Sequence, residues 1–200
     1  MSKPSRKTSA VLAFMAIVAA GYGITEYWRL RNNLPQAFMD AQAKGAIIAQ
    51  SIVATSQQSS ATLNQVNQDD RQGNDQAALA LVANLLTESE NLRNQAVQLS
   101  NQVEAMTQSL SDINSLPARQ AALDAISSHL ALINQLINYS GDLGNLSDAL
   151  QRRFSQGSYA ETSVQIQALV NQVNVDVAAI NNFNNQAAAA MQQFNSIVNK

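Results

Sequence analysis

The residues of this chain that could carry acid–base or nucleophilic chemistry are few and scattered. His129 is the only histidine, with Asp124 five residues before it and Ser128 adjacent to it. Neither spacing places two side chains on the same face of a helix, so these residues do not form a local catalytic triad. The sequence predicts that His129 is a solvated or edge-packed residue beside an apolar stripe.

The carboxylates and glycines give no sign of a metal or cofactor site. Metal sites in helical bundles use Glu-x-x-His pairs, which this sequence lacks. Glu88 and Glu90 lie on different helical faces, and together with Glu104 they are expected to be solvated charges. Gly141 and Gly144 follow no strand pattern, so they do not form a phosphate-binding loop. We therefore predict no catalytic residue, no metal, no cofactor and no enzymatic activity.

Composition excludes further classes of function. The 200 residues include no cysteine, so disulfides and thiolate metal ligands are ruled out. A net charge of −2, with only 13% charged residues, produces no field that would attract nucleic acid. Hydrophobic residues make up 46% of the chain, which is enough for the core of one domain.

The first part of the chain has the residue order of a membrane anchor. An apolar run, 9–24, lies between basic residues and an aromatic and basic flank; the predicted interface positions are Lys3, Arg6, Lys7, Tyr27, Trp28, Arg29 and Arg31. Segment 9–28 has about the 20 residues that cross a bilayer as a helix. The preceding positive charges favour a cytoplasmic segment 1–8, with residues 29–200 outside the cytoplasm. The sequence thus predicts a single-pass protein of the plasma (inner) membrane, with its bundle extracytoplasmic or periplasmic.

Two other interpretations of this segment remain open. Val18-Ala19-Ala20 before Gly21 fits a signal-peptidase site, and cleavage after Ala20 would release the domain. The apolar run could instead be a buried core helix, although a run with these flanks rarely serves as core.

Beyond the anchor, apolar residues recur alternately three and four positions apart, as in long packed helices. Prolines, glycines and polar runs divide this pattern into helices at about 35–67, 75–115, 117–154 and 158–199. The residues expected to form the core or set its register include Leu85, Leu92, Leu99, Val103, Leu110, Ile166, Val173, Ile180 and Asn184. A single buried Asn in such a stripe commonly fixes helix register or oligomeric state.

The third predicted helix changes phase part of the way along. Its first apolar set is Leu123, Ile126, Leu130, Ile133 and Ile137, and a second set out of phase with it is Leu143, Leu146 and Leu150. Glycine and Asn residues lie between the two sets, so the sequence predicts a loop or kink at 140–145. Because short connections make neighbours antiparallel, the expected fold class is all-α: an N-terminal transmembrane helix followed by an elongated antiparallel four-helix bundle with coiled-coil-like heptad packing.

One span followed by an elongated bundle is similar to the design of the LemA family. Leu30-Arg31-Asn32 followed by Ala37-Phe38 looks like the segment that comes after the membrane in that family. Residues 46–53 stand where the family has an Arg- and Asp-bearing segment, so no function is carried over from the resemblance.

Three functions fit this design. The first is a membrane-anchored structural or interaction protein, a scaffold or assembly component of the cell envelope that binds protein partners or itself. The second is a ligand-binding sensor module that works through a membrane partner, because helical bundles can hold small molecules between helices. The third is a secreted helical subunit of a pilus or secretion machine, which requires cleavage after Ala20.

Overall fold

The computed structural model describes residues 35–156 and 159–198 of the chain. Four α-helices make up nearly all of this part, and their bounds are α1 Gln36–Gln72, α2 Asp75–Gln108, α3 Leu116–Gln156 and α4 Tyr159–Val198. A 3-10 turn, Leu110–Asp112, lies between α2 and α3, and the described residues contain no strand. The prediction of an all-α helical bundle is confirmed for this part of the chain.

The predicted membrane segment 9–28, the seven predicted interface positions and the cleavage site after Ala20 lie outside the described residues. Within the described ranges, every helix is too polar or too short in its apolar stretches to span a bilayer.

The helix boundaries follow from local backbone chemistry. The carbonyl of Pro35 accepts hydrogen bonds from the N–H groups of Phe38 and Met39 at the start of α1. Helix α1 runs past its predicted end near residue 67, because Gly73 adopts the left-handed conformation (φ 73°) that closes a helix. The N–H groups of Gly73 and Asn74 then bond to the last carbonyls of α1. The predicted interruption between the helices at about 35–67 and 75–115 is therefore much shorter in the structure, where α1 continues to Gln72.

Contacts at both ends of the bundle show how the helices are directed. Phe38 near the start of α1 packs against Phe194 near the end of α4, with ring centroids 5.2 Å apart. Asp70 near the end of α1 pairs with Arg153 near the end of α3, with a closest N–O distance of 2.7 Å. Helices α1 and α3 thus point the same way, and α4 points the opposite way. Thr62 contacts Glu88 and the earlier Ser51 contacts the later Gln95, so α2 is also antiparallel to α1.

The core runs along one face of each helix. On α2 the buried residues recur four and three apart; they include Ala78, Val82, Leu85, Leu92, Ala96, Leu99, Val103 and Met106. The structure also buries Leu110, Val173 and Ile180, whereas Ile166 and Asn184 are half-buried. Burying each Leu side chain contributes about 1.5–3 kcal/mol, so this continuous stripe supplies much of the stability of the bundle.

Helix α3 is continuous from Leu116 to Gln156, so the predicted break at 140–145 is wrong. Among the described glycines, positive φ occurs at Gly73 and not at Gly141 or Gly144. The two glycines therefore lie within regular helix, and α3 keeps the backbone hydrogen bonds that a loop at this point would have broken.

The core-facing side of α3 also differs from the prediction over its first half. Leu123, Leu130 and Ile137 are 40%, 46% and 38% exposed, while Ile126 and Ile133 are buried. Ten of the buried residues form one stripe spaced four and three apart along the whole helix: Ala118, Ala122, Ala125, His129, Leu132, Leu136, Tyr139, Leu143, Leu146 and Leu150. A single register of this kind keeps one face inside without a break. The physical reason for the difference is that alanines, a histidine and a tyrosine fill core positions in this register.

Candidate functional site

A group of polar side chains is buried about halfway along the bundle. Tyr139 of α3 is 1% exposed, Asp176 of α4 is 2% exposed, and Glu88 of α2 is 5% exposed. Ser56 and Ser59 on the facing part of α1 are also buried, and their small side chains leave room for larger neighbours. Burying carboxyl groups is costly unless they are hydrogen-bonded or protonated. This group of buried polar residues is therefore the candidate functional site.

Asp176 and Asp142 form a carboxyl pair between α4 and α3. Burial raises the pKa of Asp176 to about 6, and the hydrogen bond with the Asp142 carboxyl adds to the rise. The Oδ1 atom of Asp176 accepts hydrogen bonds from the Nε2 groups of Gln135 (2.8 Å) and Gln172 (3.1 Å). Asp176 therefore takes up a proton under mildly acidic conditions, and the hydrogen bond between the two carboxyl groups requires that proton.

Tyr139 lies in the field of both buried acids. Burial raises the pKa of its phenol, and the carboxylates of Glu88 and Asp176 raise it further. Glu88 in turn accepts a hydrogen bond at Oε1 from the hydroxyl of Thr62, at 3.2 Å. The tyrosine therefore stays protonated and remains a hydrogen-bond donor over the physiological pH range.

A groove open to solvent lies beside the Asp142–Asp176 pair, between α3 and α4. Its volume is about 490 Å³, and its polar lining consists of Gln135, Asn138, Asp142, Asn145, Gln172 and Asp176. Carboxylate and amide oxygens are acceptors, so the lining suits a ligand that carries an amine or other hydrogen-bond donors. In the part of the chain that the structure describes, no three His, Cys, Asp or Glu side chains gather as metal ligands.

The prediction that Glu88 is a solvated charge is wrong, whereas Glu90 and Glu104 are exposed. The sequence did carry a signal for Glu88. It lies seven residues from Leu81 and seven from Gln95, and Gln95 contacts α1 through Ser51 and Thr55. A carboxylate at a heptad position whose neighbours face another helix is expected to be enclosed with them.

The sequence also carried a signal for Asp176, which was not predicted as a buried residue. It lies seven residues from Leu169 and seven from Phe183, and both of these pack against the core. Asp176 thus occupies a heptad position that apolar residues take one repeat before and one repeat after it. Its spacing from other acids gives no sign of this position.

His129 lies inside the buried stripe of α3, so the prediction of a solvated or edge-packed position beside that stripe is wrong. Its side chain is 7% exposed, and Nδ1 is 2.7 Å from the carbonyl oxygen of Ala125. Burial lowers the pKa of His129, because the charged ring would lose its hydration. The neighbours around a small cavity beside it include Met106 and Met191. His129 is therefore a neutral core residue at neutral pH.

Asn184, the residue predicted to set register, borders a cavity of about 30 Å³ that all four helices line. The walls opposite it include Ile52 of α1, Leu99 of α2 and Leu132 of α3. A polar amide beside an apolar cavity can favour one helix alignment over others. The role of Asn184 in setting register stays a prediction.

Comparison of the chain with protein-family models, curated proteins and solved structures finds no match.

Proposed function

We propose that this chain is a membrane-anchored interaction protein of the cell envelope. In this proposal, residues 9–28 hold it in the plasma (inner) membrane. The elongated antiparallel bundle, with its coiled-coil-like packing, then presents surfaces to partners outside the cytoplasm. The anchor is supported by the basic, apolar and aromatic order of the first 31 residues.

The observation that supports an interaction role is a row of exposed aliphatic side chains on α3. Leu116 is 73% exposed, and Leu123, Leu130 and Ile137 follow at intervals of seven residues with exposures of 40%, 46% and 38%. We call these four residues the α3 seam. A single exposed leucine is common on protein surfaces, but four in line make a strip about 30 Å long on one helix. Strips of this kind mark surfaces that bind other proteins.

The topology can be tested with single cysteines, because the natural chain has none. We expect Gln57→Cys, on the exposed side of α1, to react with a membrane-impermeant maleimide in cells whose outer barrier is permeabilised. Ser2→Cys, in the predicted cytoplasmic segment, is the matched control and should react only after lysis. A protein found in the soluble fraction with a mass beginning at Gly21 would instead support a released domain.

A second candidate function, a ligand-binding sensor module, is favoured by the groove beside Asp142 and Asp176. Its acidic and amide lining suits a small polyamine. Spermidine should raise the melting temperature of the natural protein at pH 8 and have a smaller effect on Asp176→Asn. An equal shift in both proteins would mean that the polyamine binds elsewhere.

A further inference from the structure

We propose that the α3 seam binds the same seam of a second copy, so that the protein forms a parallel two-fold dimer through α3. The proposal rests on the proposed function in one respect: the parallel orientation follows from anchoring both copies in one membrane.

The spacing of the seam makes it complementary to itself. Aliphatic side chains that recur every seven residues stay on one side of a supercoiled helix, so those of two identical helices can meet in the same register. A straight α-helix would rotate such positions by about 20° per heptad, which would scatter them around the axis. The core stripe of α3 shares the seven-residue repeat, from Ala118 to Leu150. The supercoil that aligns the core stripe therefore also aligns the seam before any partner arrives.

The exposed area is adequate for a reversible dimer. The exposed fractions of the four seam side chains amount to about 400 Å² of apolar surface on each copy. A standard interface buries about 800 Å² on each partner, of which somewhat more than half is apolar. The seam alone thus supplies most of the apolar area that such an interface needs.

The surroundings of the seam favour an identical partner electrostatically. The residues four positions after each seam residue are Gln120, Ser127, Asn134 and Gly141, and all of them are exposed and uncharged. Charge near the seam is confined to its first half, where Arg119 lies four positions before Leu123 and Asp124 follows it. Because few like charges meet, repulsion between two copies is small, and we expect the dimer to depend only weakly on salt.

The orientation follows from the position of α3 in the bundle. Phe38 at the start of α1 and Phe194 of α4 lie at the end of the bundle to which residues 9–28 connect. Because α1 and α3 point the same way, α3 also starts at this end. In two copies held in one membrane, both α3 helices extend away from the bilayer, and each seam residue faces its own counterpart.

The test uses the full chain in native membranes. Leu123→Cys and Ile137→Cys are made separately, and disulfide formation is driven by copper phenanthroline. A disulfide requires Cα atoms about 4.4–6.8 Å apart, so each variant should give a covalent dimer on its own. Gln57→Cys on α1 is exposed but far from the seam, and it should remain monomeric under the same treatment.

A second pair of variants separates the seam from chance collisions. Leu130→Glu places a charge in the middle of the seam and should abolish the dimer formed by Ile137→Cys, with unchanged helical circular dichroism. Ile47→Glu introduces the same charge at a residue of α1 that is 67% exposed, and should leave the crosslink intact.

The outcomes distinguish this inference from the proposed function. Crosslinking only when Leu123→Cys is mixed with a Leu130→Cys chain would indicate antiparallel seams and overturn the parallel dimer, because antiparallel overlap of the seam pairs these two positions. Crosslinks to a different protein, without any self-crosslink, would overturn the dimer but leave a membrane-anchored interaction protein. Self-crosslinks at both positions in a protein that fails the topology test would support the dimer and contradict the anchor.

Discussion

Leu130 and Leu132 lie two positions apart on α3, yet Leu130 is 46% exposed whereas Leu132 is 7% exposed. This difference defines which face of α3 belongs to the core. We expect Leu132→Ala to lower the free energy of unfolding by about 2–5 kcal/mol, because it leaves a cavity. Leu130→Ala should cost less than about 1 kcal/mol in a chain lacking residues 1–34 and kept dilute, where no partner covers it. Urea unfolding measures both, and the opposite order would place the other face of α3 in the core.

Gly141 and Gly73 give opposite predictions for substitution by alanine. Gly141 lies within regular helix, and a Cβ atom there would meet no atom within 4 Å. Gly141→Ala should therefore stabilise the protein by about 0.5–1 kcal/mol through helix propensity. Gly73→Ala should destabilise it by about 1 kcal/mol, because φ is 73° there. A loss of stability in Gly141→Ala would support the break that α3 does not show.

Asp176 makes the stability of the bundle fall as pH rises. Its pKa is raised from the ordinary 3.8 to about 6 in the folded protein. Below pH 4 the acid is protonated in both states, and above pH 6 the folded state must hold a buried charge. Stability is therefore lost between about pH 4 and pH 6, as the folded protein loses its tighter hold on the proton.

Asp176→Asn should remove this part of the pH dependence. We expect the variant to be more stable than the natural protein by about 1–3 kcal/mol at pH 8, and to differ much less at pH 4. Asp148→Asn, at an exposed site on α3, is the matched control and should change little at either pH. Equal effects of Asp176→Asn at both pH values would contradict the raised pKa.

His129 has the opposite influence over an overlapping range. Its pKa is lowered by burial, so the unfolded chain binds a proton before the folded protein does. Stability is therefore lost as pH falls below about 6.5, until the folded-state pKa is passed. His129→Leu should flatten this loss. The comparison is best made in the Asp176→Asn background, and an unchanged pH profile there would show that His129 is already solvated.

The ion pair between Arg153 and Asp70 connects the far ends of α3 and α1. The Nη2 atom of Arg153 lies 2.7 and 2.9 Å from the two carboxylate oxygens, and both side chains are more than a fifth exposed. A double-mutant cycle with Arg153→Met and Asp70→Asn should give a coupling of about 0.5–1 kcal/mol. The coupling should shrink in high salt, and a coupling that salt leaves unchanged would argue for packing rather than charge.

Much of the helical fold could be predicted because two independent signals in the sequence, apolar periodicity and the positions of glycine and proline, indicate the same helices. On α2 the apolar residues recur without interruption from Ala78 to Met106, and Gly73 and Pro117 lie near the helix limits. Periodicity and backbone chemistry thus agree, and agreement of this kind makes a sequence specify its structure.

The register of α3 could not be found in the same way, because both of its faces carry aliphatic residues. Leu123 and Leu130 are more hydrophobic than Ala122 and His129, so a search by residue type selects the wrong face. The whole helix decides the matter: only the face with Tyr139 continues in phase to Leu150. Where a short segment does not determine which face is buried, the pattern along the whole helix does.

The pairing of Asp142 with Asp176 could not be predicted without tertiary contacts. Asp142 and Asp176 come from different helices, and their pairing depends on how far α4 is shifted along α3. Heptad spacing indicates which side of a helix an acid is on, but it does not give the relative height of two helices. For that reason the groove beside them had no counterpart in the sequence analysis.

The packing of Phe38 against Phe194 has a consequence for how the protein is made. Helices that follow one another in the chain can pair as they emerge, since their contacts are close in sequence. The contact between α1 and α4 joins the two ends of the described bundle, so it can form only after almost the entire chain has been synthesised. Until then the part of the Phe38 ring that Phe194 covers remains exposed, and a chain truncated before Phe194 would continue to display it. Chaperones and proteases would therefore encounter this aromatic side chain on unfinished chains but not on complete ones.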